Sequence, residues 1–239
     1  MLEARNLTKR YDGAPAPSLD RLDLNVPAGE VFCLLGPNGA GKTTTVNLFL
    51  NFIDPTEGHA LVCGIDAAAD PLGARAKLAY IPETVMLYGA LTGLENLRYF
   101  TEVSGATAAP DKLLSLLLTA GLTEEAAMRP VRGYSKGMRQ KVGVAIALAR
   151  NAQALVLDEP TSGLDPLAAN EFAALIERLR REGMAVLMVT HDLFLAKQCG
   201  TRIGIMAKGK LASVFGADDV DHPGLERAYL DLFIAEKAA

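Results

Sequence analysis

A stretch near the N-terminus, from Gly36 to Thr43, has residue types and spacing suited to binding phosphate. Gly36 is followed by four residues and then by Gly41-Lys42-Thr43, the pattern G-x-x-x-x-G-K-[ST]. The glycines let the backbone curl so that successive N–H groups point at an anion. In such a loop the lysine reaches the β- and γ-phosphates, and the threonine hydroxyl holds Mg²⁺. We therefore predict a nucleoside triphosphate site formed by Gly36, Pro37, Asn38, Gly39, Ala40, Gly41, Lys42, Thr43 and Thr44.

A pair of carboxylates, Asp158 and Glu159, follows the apolar run 154–157. Ligands of open α/β sheets bind at the carboxyl ends of the strands, and two adjacent acids there favour a cation site. Asp158 is predicted to hold Mg²⁺, directly or through water. Glu159, on the other side of the strand end, is predicted to polarise the attacking water as a general base. The alternative is a pair of solvated acids in a turn before Pro160.

A second helix start lies at Ser135, because apolar residues recur at helical spacing after Met138. Ser135 is a natural N-cap, and Gly137 follows it. No acidic residue occurs from 126 to 157, whereas that segment holds Arg129, Arg132, Lys136, Arg139, Lys141 and Arg150. This local positive charge indicates an anion site at the helix start. A solvated, charged helix face is the alternative.

Short apolar strands that alternate with helices must position these groups. Strands are predicted at 2–11, 19–26, 31–35, 60–63, 78–81, 154–157, 185–189, 202–206 and 211–214. Helices are predicted at 43–51, 70–77, 166–181, just after His191 and at 222–237. The almost wholly apolar strands indicate an α/β fold with a mostly parallel sheet covered on both faces, preceded by an antiparallel N-terminal β portion.

The segment 83–150 differs from its surroundings, since its patterns are helical and separated by turns. We predict a helical insertion there, in a single 1–239 domain whose core comprises 1–82 and 151–215. The net charge of −4 and the pI near 5.5 argue against a general nucleic-acid-binding surface. No apolar run approaches the roughly 18 residues of a membrane span. We expect a chain that is soluble by itself and does not bind nucleic acid.

Four motifs in order, GPNGAGKT, YSKGMRQ, LVLDEPTSGLD and VTHD, resemble those of the ATPase subunit of an ABC transporter. The resemblance implies a P-loop NTPase fold, ATP as the nucleotide and ATP hydrolysis, with Lys42, Glu159 and His191 as catalytic residues. His191 matches the switch histidine that contacts the γ-phosphate, and Tyr11 matches the aromatic residue that stacks on adenine.

The same resemblance implies that two subunits pack head-to-tail around two nucleotides. Tyr134 to Met138 matches the signature motif, so Ser135, Gly137 and Met138 are expected to contact ATP held by the other subunit. The segment 162–165 matches the loop that lines this interface. The partner subunit is a second copy or a related ATPase subunit.

An integral membrane permease subunit is the other expected partner, with the helical insertion as its docking surface. The chain is then expected to be peripheral on the cytoplasmic face of the membrane.

Three positions in two motifs depart from the common family pattern. Glu83 stands where most members have a glutamine that touches Mg²⁺ and water, so the expected metal ligands are Thr43, Asp158 and Glu83. Lys136 and Met138 stand where the commonest pattern has a glycine and a glutamine, and Lys136 either approaches the partner subunit's phosphate or points to solvent. Both departures resemble the branch that serves exporters with separate membrane subunits.

Three other functions fit the sequence less well. Family members that act in translation or DNA repair usually carry two ATPase halves or a long coiled-coil insertion, and neither pattern occurs in this sequence. A switch GTPase typically needs N/T-K-x-D, but no Asn here is followed by Lys and Thr8-Lys9 lacks the Asp. A regulator that never hydrolyses nucleotide is disfavoured by Glu159.

Overall fold

Two β-sheets and nine α-helices make up the part of the chain that the structure describes. The structure is a computed structural model that describes the backbone of residues 1–237 and the side chains of residues 1–232. The strands are β1 Leu2–Lys9, β2 Leu19–Val26, β3 Val31–Leu35, β4 Glu57–Val62, β5 Ile65–Asp66, β6 Leu78–Ile81, β7 Ala154–Asp158, β8 Ala185–Val189, β9 Arg202–Ala207 and β10 Lys210–Gly216. The helices are α1 Lys42–Phe49, α2 Pro71–Lys77, α3 Gly93–Val103, α4 Pro110–Thr119, α5 Glu124–Ala127, α6 Lys136–Ala149, α7 Pro166–Arg181, α8 Leu193–Cys199 and α9 His222–Lys237.

The central sheet has six strands in the order β10-β9-β3-β8-β7-β6. Every neighbouring pair is parallel except β9 and β10, which form an antiparallel pair. The carboxyl ends of β3, β6, β7 and β8 therefore meet at one edge. This is the edge where ligands of open α/β sheets bind.

The position of strand β3 inside the central sheet explains why all five of its residues are apolar. Val31, Cys33 and Leu35 pack into one hydrophobic cluster, with residues of the helices α6, α7 and α8. Phe32 and Leu34 pack into a second cluster on the opposite face, with α1 and the other sheet. Because successive side chains of a strand point to opposite faces, a strand covered on both faces needs apolar residues throughout.

The second sheet has four strands in the order β2-β1-β4-β5, and all its pairs are antiparallel. Val46, Leu48 and Phe49 of α1 are buried in the cluster that this sheet shares with the central sheet. Helix α1 and the phosphate loop that precedes it are thereby fixed between the two sheets.

The N-terminal sheet differs in two places from what the sequence predicts. Strand β4 begins at Glu57, earlier than the predicted 60–63, because Glu57 and His59 pair with Thr8 and Arg5 of β1. Gly58 lies within this strand at φ 76°, and a Cβ there would fall 2.3 Å from the Asn6 carbonyl oxygen. The short strand β5 was not predicted, since two residues are too few to show an alternating pattern.

Helices α3 to α6 fill the segment between β6 and β7, and no described β-strand lies within it. Thr92 and Glu95 form a capping box at the start of α3. Leu97, Leu113, Leu117 and Val142 from α3, α4 and α6 are buried together in the cluster that covers the central sheet. None of the helices in the described chain is both long and apolar enough to cross a membrane.

Candidate active site

The phosphate loop lies between β3 and α1, at the ligand-binding edge of the central sheet. Gly41 is the N-cap of α1 at φ 110°. A Cβ at this position would fall 2.6 Å from the Ser18 carbonyl oxygen, so the close backbone approach requires glycine. The loop encloses a cavity of about 360 Å³, lined by Ser18, Pro37, Asn38, Gly39, Gly41, Lys42, Thr43 and Thr44. A cradle of backbone amides at a helix N-terminus suits a phosphate chain.

Lys42 lies over this loop. Its Nζ donates hydrogen bonds to the carbonyl oxygens of Gly36 and Pro37, the latter at 2.9 Å. Partial burial lowers the pKa of Lys42, while the charges of Glu159 and Asp158 oppose that shift. The Lys42 ammonium is therefore close enough to Asp158 and Glu159 to interact electrostatically with both carboxylates.

Asp158 at the end of β7 accepts a hydrogen bond from Tyr80 of the neighbouring β6. The Tyr80 hydroxyl lies 3.3 Å from Asp158 Oδ2. Burial raises the pKa of Asp158, the Tyr80 hydrogen bond lowers it, and the nearby charges of Glu159 and Glu83 raise it. Burial and Asp158 together raise the pKa of Tyr80 to about 12. Tyr80 was not predicted to belong to the site, although a tyrosine at a strand end beside the strand of the acid pair is a signal for it.

Glu159 faces the opposite neighbour, β8, as the sequence predicts for the second acid. Its Oε1 lies 2.8 Å from His191 Nδ1, and its Oε2 accepts a hydrogen bond from the Thr190 hydroxyl at 3.2 Å. Thr190 is 1% exposed, whereas the side chain of His191 is 69% exposed. The backbone of Glu159 has φ 47°, a left-handed conformation that costs free energy and is concentrated at functional sites. Thr190 was missed because its sequence position next to His191 says nothing about Glu159.

Glu83 follows β6 and contacts two other segments. Its Oε1 accepts hydrogen bonds from the Ser162 hydroxyl at 2.9 Å and from Lys136 Nζ at 3.3 Å. These two contacts lower the pKa of Glu83. Lys136 thus pairs with an acid of its own chain, a contact that neither of its two expected positions includes.

The residues of the matched signature motif lie at the start of α6. The Ser135 hydroxyl oxygen accepts a hydrogen bond from the Met138 backbone N–H at 3.3 Å, which confirms the predicted N-cap. A Cβ at Gly137 would lie 3.5 Å from Ala168 Cβ of α7, so this helix start packs closely against α7. No hydrogen bond or ion pair in the described chain joins Ser135, Gly137 or Met138 to the phosphate loop of the same chain.

Tyr11 lies just beyond the end of β1 and is 42% exposed. The Lys9 Nζ approaches one face of its ring, 5.3 Å from the centroid. An exposed aromatic ring at a strand end offers a surface on which a nucleobase can stack.

The oxygen donors of the site suit Mg²⁺. Among the described residues there is no group of three or more His, Cys, Asp or Glu side chains that could hold a metal ion. Mg²⁺ is usually bound by one or two carboxylates together with water and substrate phosphates. Asp158 and the hydroxyl of Thr43 are the matching oxygen donors, and the excess of acid charge around Asp158 favours a cation there.

A family model and several known proteins resemble this chain. The family model described as ABC transporter matches residues 19–162, more than half of the chain. The chain belongs to the ABC transporter family. The matched segment contains the phosphate loop, the α6 start and the acid pair, so the family assignment covers most of the site just described.

Relatives and solved structures of this family resemble nearly the whole chain. The Escherichia coli protein named probable multidrug ABC transporter ATP-binding protein YbhF is 35% identical over 97% of this chain, which spans 41% of that protein. A structure described as the ATP-binding subunit of an ABC transporter has 31% identity and a TM-score of 0.82, with full coverage of both chains. The dimeric structure of a post-hydrolysis state of an ATP-binding cassette, bound to ADP and Pi, has 29% identity and a TM-score of 0.78, covering 91% of this chain and 99% of that one. The P-loop NTPase fold predicted from the motifs is confirmed.

Proposed function

We propose that this chain is the ATP-hydrolysing subunit of an ABC transporter. The observation that carries the proposal is the convergence of Lys42, Asp158, Glu159 and His191 at one edge of the central sheet. Lys42 feels the charges of both acids, and Glu159 contacts His191 directly. A phosphate cradle beside a paired base and histidine is suited to the attack of water on a terminal phosphate.

Each residue has a distinct role in this proposal. Lys42 and the loop amides orient the β- and γ-phosphates, and Tyr11 stacks on adenine. Asp158, Thr43 and Glu83 would hold Mg²⁺, which would supply positive charge to the phosphates. Glu159 accepts the proton of the attacking water, and His191 positions Glu159 and contacts the γ-phosphate.

We infer further that two subunits share each nucleotide. Ser135, Gly137 and Met138 form an N-capped helix start, and no hydrogen bond or ion pair among the described residues joins them to their own phosphate loop. A helix N-terminus attracts phosphate. We infer that this helix start binds the ATP phosphate held by a second subunit, which is either a copy of this chain or a related ATPase subunit. The dimeric ATP-binding cassette with ADP and Pi supports this arrangement by its similarity.

A membrane permease subunit is the second proposed partner, and export is the proposed direction. The similarity to a probable multidrug ABC transporter ATP-binding protein supports this part. A largely apolar cavity of about 290 Å³ lies between the Glu83 loop and α3 and α6, with Pro82, Val85, Met86 and Phe100 in its wall. Met86 is 78% exposed. We propose that a cytoplasmic helix of the permease docks there, which makes the chain peripheral on the cytoplasmic face of the membrane.

The test compares Lys42→Ala with Lys112→Ala, which removes an exposed lysine of α4. Calorimetric titration with ATP and Mg²⁺, followed by steady-state phosphate release, measures binding and turnover. The Lys42 variant is expected to lose hydrolysis by at least about 100-fold, as loss of a charge clamp on phosphate does. The Lys112 variant should match the wild type. Full activity in the Lys42 variant, or no ATP binding by the wild type, would overturn the proposal.

A further inference from the structure

Two of the residues that depart from the family pattern, Glu83 and Lys136, contact each other. Lys136 Nζ lies 3.3 Å from Glu83 Oε1 although the residues are separated by 53 positions in the chain. The side chains are 53% exposed for Glu83 and 30% exposed for Lys136. Glu83 belongs to the loop after β6, and Lys136 is the first residue of α6. The ion pair thus joins the helix that starts at the signature motif to the loop beside the acid pair.

This contact belongs to a built face of α6. Gln140, one turn after Lys136, is fully buried and donates from Nε2 to the carbonyl oxygens of Pro82 and Glu83, at 3.2 and 3.0 Å. A Cβ at Gly143 would lie 3.4 Å from Ile81 Cγ2 at the end of β6 and 3.5 Å from Val85 Cγ2 in the loop, so the next turn packs directly against both. Residues four and three apart share one face of a helix. Gln140 therefore holds the backbone of the loop through hydrogen bonds, and Lys136 pairs with the acidic side chain of the loop.

Glu83 lies where its negative charge can affect nucleotide binding. Glu83 Oε1 also accepts the hydrogen bond from Ser162, in the segment 162–165 that follows the acid pair. Its charge raises the pKa of Asp158, which places it within electrostatic range of the proposed Mg²⁺ ligand. A glutamine at this position would add no charge. A glutamate adds a third carboxylate to a site that must accept a triphosphate, and repulsion weakens binding unless a cation compensates.

We propose that Lys136 is a positioning residue that compensates the charge of Glu83 and fixes its carboxylate, so that a glutamate can occupy this position without weakening ATP binding. The inference rests on the proposed ATP site. It differs from a direct role of Lys136 on the partner subunit's phosphate, because Lys136 acts here through Glu83 of its own chain. Glu83 and Lys136 then act as one functional unit, in which the ammonium of Lys136 compensates the carboxylate of Glu83.

The experiment is a double-mutant cycle with Glu83→Gln, Lys136→Met and the double variant. The affinity for ATP is measured by calorimetry with Mg²⁺ and with EDTA, and kcat and KM are measured separately. Lys136→Met is expected to weaken ATP binding about fivefold, because it leaves the charge of Glu83 uncompensated. Adding Glu83→Gln should restore the affinity to within about twofold of the wild type. Lys136→Arg should keep wild-type affinity, since a guanidinium can pair with the same carboxylate.

Additive effects would overturn the inference, since a lysine that acts independently of Glu83 loses the same affinity in either background. A restored affinity in the double variant supports it. Thermal melting of each variant separates these outcomes from misfolding, and Lys112→Met is the control for loss of one positive charge. Failure of the wild type to bind ATP would overturn the proposed function together with this inference. Binding by the wild type with an additive cycle would overturn the inference alone.

Discussion

Oε1 of Glu159 lies 2.8 Å from Nδ1 of His191, across the ends of the neighbouring strands β7 and β8. The contact fixes one ring nitrogen of the histidine against the acid. The other nitrogen, Nε2, has no hydrogen-bond partner among the described residues and remains available to a phosphate oxygen or a water. The pair therefore couples the proposed general base to a group that can sense the terminal phosphate.

Glu159→Gln keeps the shape of the side chain and removes its basicity. We expect kcat to fall by at least about 100-fold, the usual contribution of a general base, while ATP still binds. Because the nucleotide is then not hydrolysed, the variant should accumulate as an ATP-bound dimer. Light scattering coupled to size-exclusion chromatography measures this mass with and without ATP. A strictly monomeric variant in saturating ATP would contradict the shared-site mechanism.

His191→Ala should lower kcat about 100-fold with a small effect on ATP affinity, since it removes the group that orients Glu159. His59→Ala is a matched control, because His59 Nδ1 makes a similar contact of 2.6 Å with Asp66 on the N-terminal sheet. Phosphate release under saturating ATP measures both variants. Equal losses in the two variants would mean that the histidine acts through stability instead.

Thr190→Val removes the hydroxyl that donates to Glu159 Oε2. We expect kcat to fall about tenfold with KM unchanged, because the base loses its orientation while the phosphate loop is intact. Thr201→Val removes a comparable hydroxyl, which bonds the backbone of Val31 at 3.0 and 3.1 Å away from the acid pair. The control should lower the melting temperature without a change in kcat. A purely structural Thr190 would behave in the same way as this control.

Tyr80→Phe removes the hydrogen bond to Asp158 Oδ2 and leaves the ring in place. The Mg²⁺ concentration needed for half-maximal hydrolysis should rise about threefold, as expected for loss of a group that orients a metal ligand. Activity at saturating Mg²⁺ should be almost unchanged. Tyr88→Phe, which removes a hydroxyl bonded to Tyr99 at 3.2 Å, is the control. An unchanged Mg²⁺ dependence in Tyr80→Phe would exclude this positioning role.

Asp158→Asn should stabilise the subunit in the absence of nucleotide while abolishing hydrolysis. Burial raises the pKa of Asp158, so ionisation at neutral pH costs folding free energy. This cost is fully present above the pKa of Asp158 in the folded state. It disappears as the pH falls below the pKa of an unfolded aspartate, about 4. We expect the melting temperature at pH 7 to rise by about 2 °C, a small gain because the site is partly solvated.

The gain in melting temperature caused by Asp158→Asn should become smaller as the pH is lowered. Melting curves at several pH values measure it, and Asp12→Asn, an exposed loop variant, should show no gain. A gain that is independent of pH would point to packing instead of charge.

Elements with local sequence signals can be predicted without the structure. The glycine spacing of the phosphate loop, the two-sided apolar strands β3, β7 and β8, and the proline at the start of α7 each depend on neighbours along the chain. Their predicted bounds agree with the structure to within a residue or two. The early start of β4 escaped prediction, because its first residues are held by pairing with β1 and not by an apolar pattern of their own.

Which side chains act together depends on contacts between distant segments of the chain. Tyr80 and Asp158 are 78 positions apart, Glu83 and Lys136 are 53 apart, and Glu159 and Thr190 are 31 apart. Each pair meets because parallel strands bring their carboxyl ends to one edge, and because α6 packs against the loop after β6. A linear pattern shows residue types but not which chain segments become neighbours. The motif residues were therefore predictable from the sequence, whereas the hydrogen bonds and the ion pair that orient them were not.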